Sequence, residues 1–280
     1  MTQEQRIAGG YLVGAMWQYA ANVLYPAQTC KRLGLRVTMP LVGEEPQPMP
    51  RAGMGRHFST KYREPVYLEG STEHDHLVEE FDGMAEVYSE FVRPFSAPIF
   101  EEALPVMRRY LAADARVLDA GCGPGRELQQ VARLVPAGEV VGIDLAAGMV
   151  RSAQRAARAQ ALDNCAFFQS DVEALPEIFN GQFDMVYNCL AHHHYPNPAA
   201  AAAAILRCLR PGGVYCVIDP GPAWFNAISE PLARWADPGW ISFHTPEQFR
   251  DLFCNAGFGR TGWLELLPGF GIALGQKAAG

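Results

Sequence analysis

The chain has no pair of cysteines at C-x-x-C spacing, no dense cluster of basic residues and no apolar run of membrane-spanning length. Its seven cysteines (Cys30, Cys122, Cys165, Cys189, Cys208, Cys216 and Cys254) are odd in number and scattered. They outline neither a disulfide framework nor a zinc site, and a reducing, cytoplasmic compartment is expected. Twenty-three Lys and Arg face thirty Asp and Glu, for a net charge of −7. That balance is poorly suited to displacing counterions from phosphates, so nucleic acid is not an expected partner. Arg151, Arg155 and Arg158 fall at helical spacing and read as a solvated helix face. The most lipid-like stretch, Gly9 to Tyr25, is shorter than the roughly 20 residues of a spanning helix and carries Gln18 and Asn22. With Glu4 beside Arg6 it also lacks the positive leader of a signal peptide. It reads as a helix packed on the main domain or on a second subunit.

What is present is 49% apolar residues, enough for a sizeable core. Two regimes follow one another. Residues 1–74 show no repeated strand–helix rhythm and include a Pro/Gly-rich stretch from Met39 to Gly55, so they form a mainly helical or irregular extension. From about residue 75 the rhythm begins. Helices are expected over Glu79–Phe91 and Ile99–Leu111. Strands are expected at Arg116–Ala120, Glu139–Ile143, Ala166–Gln169, Phe183–Asn188 and Val214–Asp219. Helices fall between them, among them Gly148–Ala161 and the Ala-rich run 199–209. Strands alternating with helices of this length imply parallel crossovers and a doubly wound α/β sheet.

The informative segment is Val117-Leu118-Asp119-Ala120-Gly121-Cys122-Gly123-Pro124-Gly125-Arg126, placed where the first strand gives way to a helix. Glycines there let the backbone turn tightly and approach a ligand, and amides at the helix N-terminus point into the same space. The spacing is GxGxG, and Asp119 precedes the first glycine by two. A carboxylate at that mouth is a poor neighbour for a pyrophosphate, which counts against a dinucleotide-dependent oxidoreductase, and a good one for an ammonium group. Asp144 ends the next strand, where a carboxylate can accept both ribose hydroxyls. Asp171 follows the third strand, within reach of an adenine. Three acids at successive strand ends suit a positively charged nucleoside.

With those residues in place, the chain resembles the class I S-adenosylmethionine-dependent methyltransferases, of the UbiE-like small-molecule group. VLDAGCGPGR is similar to that family's glycine motif, VVGIDLAAGMV to its ribose-acid strand and QSDVEALP to its adenine-side strand end. FDMVYNCLAHHHYPNPAAAAAAILRCLRPGG resembles the fourth strand with its loop and helix. HTPEQFRDLFCNAGF and GFGIALGQK resemble the last helix and a terminal antiparallel hairpin. The similarity runs over about residues 79–277, which assigns 75–280 to a Rossmann-like methyltransferase domain with a mostly parallel sheet. Residues 1–74 take nothing from it and are expected to be a lid or an oligomer contact.

The resemblance implies S-adenosyl-L-methionine as cofactor and a small molecule as methyl acceptor. A non-catalytic cofactor-binding or scaffold protein of the same fold is the alternative. It places Asp119, Gly121 and Gly123 around the methionine part, Asp144 on the ribose, and Asp171 and Val172 at the adenine, with Cys122 and Leu145 as further cofactor-binding residues. Asn188 would offer backbone contacts and Tyr88 would close over the cofactor; Arg126 departs from the family's commonest form, and it either reaches the cofactor carboxylate or faces solvent from the first helical turn. If the acceptor must lose a proton, His192, His193 and Tyr195 are the candidate bases. Segment 219–245, with Trp224, Phe225, Trp235, Trp240, Phe243 and His244, is expected to form the substrate side. The run His192-His193-His194 invites a metal, but consecutive residues do not all face one ion and no second cluster supplies further ligands, so none is expected.

Overall fold

The computed structural model describes residues 5, 9, 13, 16, 38–39, 56–67, 78, 81–82, 88–237 and 239–279. The Gly9–Tyr25 segment and the Met39–Gly55 linker lie almost wholly outside the described residues. Among those described, no helix is long and apolar enough to cross a membrane.

Among the described residues nine strands form one sheet: β1 (Thr38–Met39), β2 (Val66–Tyr67), β3 (Arg116–Ala120), β4 (Glu139–Asp144), β5 (Cys165–Gln169), β6 (Phe183–Cys189), β7 (Leu209–Pro220), β8 (Arg260–Leu267) and β9 (Phe270–Gln276). Their order is β1-β8-β9-β7-β6-β3-β4-β5-β2. The block from β2 to β7 is parallel, and β9 runs antiparallel to both β7 and β8, closing the expected hairpin. Among the described residues the sheet is accompanied by α1 (Phe58–Lys61), α2 (Tyr88–Arg108), α3 (Arg126–Leu134), α4 (Ala147–Ala159), α5 (Pro198–Cys208), α6 (Ala223–Ala236) and α7 (Pro246–Ala256). Helices cover both faces, so a central strand must be apolar on each side, and all five residues of β3 are buried. One face packs Ile99, Phe100, Met107, Leu128 and Val150, and the other Phe168, Phe183, Ile205, Phe249 and Trp263.

Three local features depart from expectation. Helix α2 is continuous across residues expected to separate two helices, with Pro94, Pro98 and Pro105 inside it. Its stripe of fully buried Ile99, Phe100, Ala103 and Met107 holds it to the sheet, and packing outweighs the missing amides. Strand β7 begins before the expected start at Val214, because Leu209 pairs with Phe183 and pairing resumes at Val214 opposite Met185 across a register shift. Residues 56–67, assigned by composition to the extension, are built into the domain. Phe58 is fully buried among Phe168, Phe179 and Phe183. The buried Glu139 accepts the backbone amides of His57 and Ser59. The extension also supplies both edge strands, β2 beside β5 and β1 beside β8.

Candidate active site

The carboxyl ends of β3, β4 and β5 open onto a cleft, the place where open α/β sheets bind ligands. Eight expected cofactor residues line it: Gly121, Cys122, Gly123, Arg126, Asp144, Leu145, Asp171 and Val172. Gly123 has φ +48, and a Cβ there would meet nothing within 4 Å, so this turn leaves open space for a ligand. Gly125 has φ +79, and a Cβ would stand 2.8 Å from that of Ala153, so its role is close packing of loop on helix. Asp144 Oδ2 accepts the Gly123 amide at 2.9 Å and Oδ1 the Ala146 amide at 3.0 Å. These contacts fix the carboxylate while leaving each oxygen a further lone pair. Burial pushes its pKa up to about 6, against the pull of the two amides. Asp171 Oδ1 accepts the Glu173 amide at 2.8 Å and so caps the short turn Val172–Ala174 at the cleft wall.

Two expected cofactor residues stand behind that wall. Asp119 is buried and accepts the Tyr187 hydroxyl at 2.6 Å, and burial raises its pKa well above the carboxylate norm. Asn188 is fully buried, and its amide donates to the hydroxyls of Tyr215 at 2.9 Å and Tyr195 at 3.2 Å. Both side chains brace the strand ends and neither lines the cleft. Tyr88 opens α2; its side chain lies outside the described residues. From the same segment Phe81, Arg93 and Ser96 do line the cleft. The expected helix Glu79–Phe91 includes Phe81, while Arg93 and Ser96 lie just beyond it, where no local signal singled them out.

A second cavity, of about 410 Å³, lies beyond the first and includes Phe95, Leu190, His193, Phe225, Trp240, Phe243 and Phe270 among its walls. Leu190 lines both spaces. Its φ of 53 is uncommon for a residue other than glycine. The turn is held by its amide, which donates to Ile218 O at 2.9 Å. Strained backbone of this kind persists where the surroundings over-determine it, which is common at functional junctions. Trp224, Trp235 and His244 do not line the cavity; Trp224 is 40% exposed on the edge of Phe225, and His244 packs on His192 and Phe249.

The three candidate bases are separated. His192 is 2% exposed with neither ring nitrogen hydrogen-bonded, and burial holds its pKa well below the usual histidine range, so it is a neutral core residue. Tyr195 lines the cleft, but its hydroxyl donates to Ala120 O at 2.8 Å, and burial raises its pKa further from ionisation. His193 reaches the second cavity. Its Nδ1 is 2.7 Å from Asp219 Oδ1, and Asp237 stands beyond its other nitrogen. Burial opposes the imidazolium, yet the charges of Asp219 and Asp237 outweigh it and lift the pKa to about 10.

Residues 111–248 match the sequence family described as "Methyltransferase domain". A ubiquinone biosynthesis O-methyltransferase from Psychrobacter cryohalolentis is 32% identical over 176 residues, which cover 55% of this chain and 67% of that protein. The chain belongs to the class I S-adenosylmethionine-dependent methyltransferases. A trans-aconitate 2-methyltransferase from Deinococcus radiodurans is 36% identical over 48% of this chain and 47% of its own. The fold agrees with that of a solved SAM-dependent methyltransferase from Aquifex aeolicus, with TM-score 0.54 and 17% identity over 71% of this chain and 97% of the other. The chain spans less than two thirds of other curated relatives that it matches, 60% of a ubiquinone biosynthesis O-methyltransferase from Psychrobacter arcticus and 62% of a malonyl-[acyl-carrier protein] O-methyltransferase from Dechloromonas aromatica.

The methyltransferase family's cofactor is S-adenosyl-L-methionine. The cleft fits it, because the open space at Gly123 admits a ligand against bare backbone and the anchored Asp144 carboxylate keeps lone pairs to offer.

Proposed function

We propose that this methyltransferase moves the methyl group of S-adenosyl-L-methionine onto an oxygen of a small, largely apolar acceptor held in the second cavity. The observation that carries this reading is the meeting of the two spaces at Leu190, with His193 on the acceptor side as a polar group in an aromatic and aliphatic wall. When bound, the cofactor supplies a methyl group already activated as a sulfonium. Gly121, Gly123, Asp144, Leu145, Asp171 and Val172 hold and orient it, and Arg126 sits within the same wall. Phe95, Phe225, Trp240, Phe243 and Phe270 hold the acceptor's apolar body and keep water from the reacting atoms. The choice of oxygen draws on relatives that carry the name O-methyltransferase.

The N-terminal segment fits a lid over the acceptor side, since Val13 borders the acceptor cavity and Gly9 approaches Trp235. A cytoplasmic enzyme suits the free thiols, and a contact between subunits through this segment is the other role open to it. The test is transfer of labelled methyl from the cofactor to a panel of phenols, enols and carboxylic acids with apolar bodies. Label appears on oxygen, and a chain lacking residues 1–37 loses at least about an order of magnitude in turnover while keeping cofactor affinity within a few-fold. Label confined to nitrogen or sulfur acceptors contradicts the oxygen assignment, and full turnover in the shortened chain contradicts the lid.

A further inference from the structure

The turn His192–His194 is a 3-10 turn, and it parts His192 from the other two imidazoles. His192 turns inward against Tyr195, His244 and Phe249. His193 and His194 stay side by side, with ring centroids 4.2 Å apart. Opposite them is Asp237, the residue that ends α6. Its Oδ2 stands 3.7 Å from His193 Nε2 and 3.6 Å from His194 Nε2. Both distances exceed hydrogen-bond range. They are close to the spacing of neighbouring donors around one ion, since ligands about 2.0–2.1 Å from a tetrahedral metal stand about 3.3–3.4 Å apart.

The surroundings point the same way. Asp219 Oδ1 is 2.7 Å from His193 Nδ1, so Nδ1 faces that carboxylate and Nε2 faces Asp237, where an ion would bind by displacing the Nε2 proton; an outer carboxylate on the far nitrogen is the usual companion of a metal-binding histidine. Asp237 Oδ1 accepts the Gly239 amide at 3.1 Å, which orients the carboxylate and leaves Oδ2 for the histidines. The carbonyl of His193 accepts the Ile241 amide at 2.9 Å, so turn and loop hold each other in place. All three side chains are shielded, at 8%, 15% and 16% exposure. Among the described residues no other three ligating side chains converge in this way.

We propose that His193, His194 and Asp237 bind one divalent transition-metal ion at the boundary between the cofactor cleft and the acceptor cavity. Two imidazoles and one carboxylate select zinc, cobalt, iron(II) or manganese over magnesium or calcium, which prefer all-oxygen sets. His194 lines the cofactor cleft, while His193 and Asp237 line the acceptor cavity. An ion between them can bind an acceptor's hydroxyl oxygen as its anion, the proton passing to water, and hold that oxygen toward the methyl donor. This role rests on the transfer proposed above; the binding site itself rests on the geometry alone.

The experiment is a titration of the full-length, chelator-treated protein with cobalt(II) chloride, followed by visible absorption and by calorimetry. One equivalent of cobalt binds per chain and zinc displaces it. Asp237→Asn and His194→Gln each lose about a hundredfold or more in cobalt affinity, and Asp219→Asn loses about 10- to 100-fold. Circular dichroism and thermal unfolding of the same variants show that they remain folded. Sub-stoichiometric cobalt uptake overturns the site, as does uptake that is unchanged in both Asp237→Asn and His194→Gln. Stoichiometric cobalt binding with no methyl transfer to any acceptor leaves the site standing and removes the function proposed for it.

Discussion

The cofactor cleft and the acceptor cavity share a wall at Leu190 but are assembled in contrasting ways. The cleft takes most of its lining from the turns that follow three adjacent strands, at 121–127, 143–146 and 170–173. Each turn carries its own local instruction, a glycine or an acid at a fixed offset from a strand end. The cavity gathers Phe95, Leu190, His193, Phe225, Trp240, Phe243 and Phe270 from five separate stretches of chain. Its floor is a strained residue, and its polar corner needs the turn after β6 to meet the end of α6. A site made of backbone turns is expected to fail all at once when a turn is filled. A site made of side chains from many elements is expected to fail in graded steps.

Filling the turn gives the largest effect. Gly123→Val puts a branched side chain at φ +48 and into the open cradle. Affinity for S-adenosylhomocysteine falls by about a hundredfold or more, near 3 kcal/mol, while the melting temperature drops by only a few degrees from the left-handed backbone. Calorimetry and thermal unfolding on one sample separate the two, and a folded variant with normal affinity places the ligand elsewhere.

Removing the anchored acid comes next. Asp144→Ala is expected to weaken the same ligand by about 10- to 100-fold, the cost of hydrogen bonds to a charged group. Its pH dependence sharpens the point. The folded value of about 6 lies above the usual one for aspartate, so in the free protein ionisation opposes stability as pH rises from about 4 to 6 and that cost persists above 6. The charged form is the one that accepts ribose hydroxyls. Wild-type affinity therefore declines as pH falls below about 6, and the Asp144→Ala profile is flat through that range. Parallel profiles for the two proteins contradict the role given to Asp144.

The smallest effect separates the neighbouring histidines. His192→Phe keeps the ring volume and removes two buried nitrogens that have no hydrogen-bond partner. Labelled-methyl transfer stays within about twofold and the melting temperature holds or rises. A large loss of turnover with unchanged cofactor affinity returns His192 to the chemistry.

This contrast also explains what the sequence could convey. GxGxG, Asp144 and Asp171 were legible because loop chemistry and ligand chemistry coincide over a few residues. Asp119 sits at the right strand end, but which way its side chain leaves the strand depends on Tyr187, contributed by another segment; Asn188 was expected to act through its backbone, and its side chain is taken up by Tyr195 and Tyr215. The aromatic content of 219–245 pointed to the acceptor side, yet only Phe225, Trp240 and Phe243 of the six residues singled out there reach the cavity. Asp237 carried no local signal at all. It lies 43 residues from His194 in the chain, and only the packing of α6 over the β6 turn brings the carboxylate beside the two imidazoles. Residues 56–67 escaped for the same reason, since Phe58 and the amides beside it find partners that are distant in sequence.

The central claim is that the strand-end cleft is a sulfonium-nucleoside site and not a dinucleotide site. Calorimetric titration of the full chain with S-adenosylhomocysteine, and separately with NADPH, tests it directly. One equivalent of S-adenosylhomocysteine binds per chain and NADPH gives no heat beyond dilution. Stoichiometric NADPH binding, or no binding of S-adenosylhomocysteine by the folded protein, contradicts it.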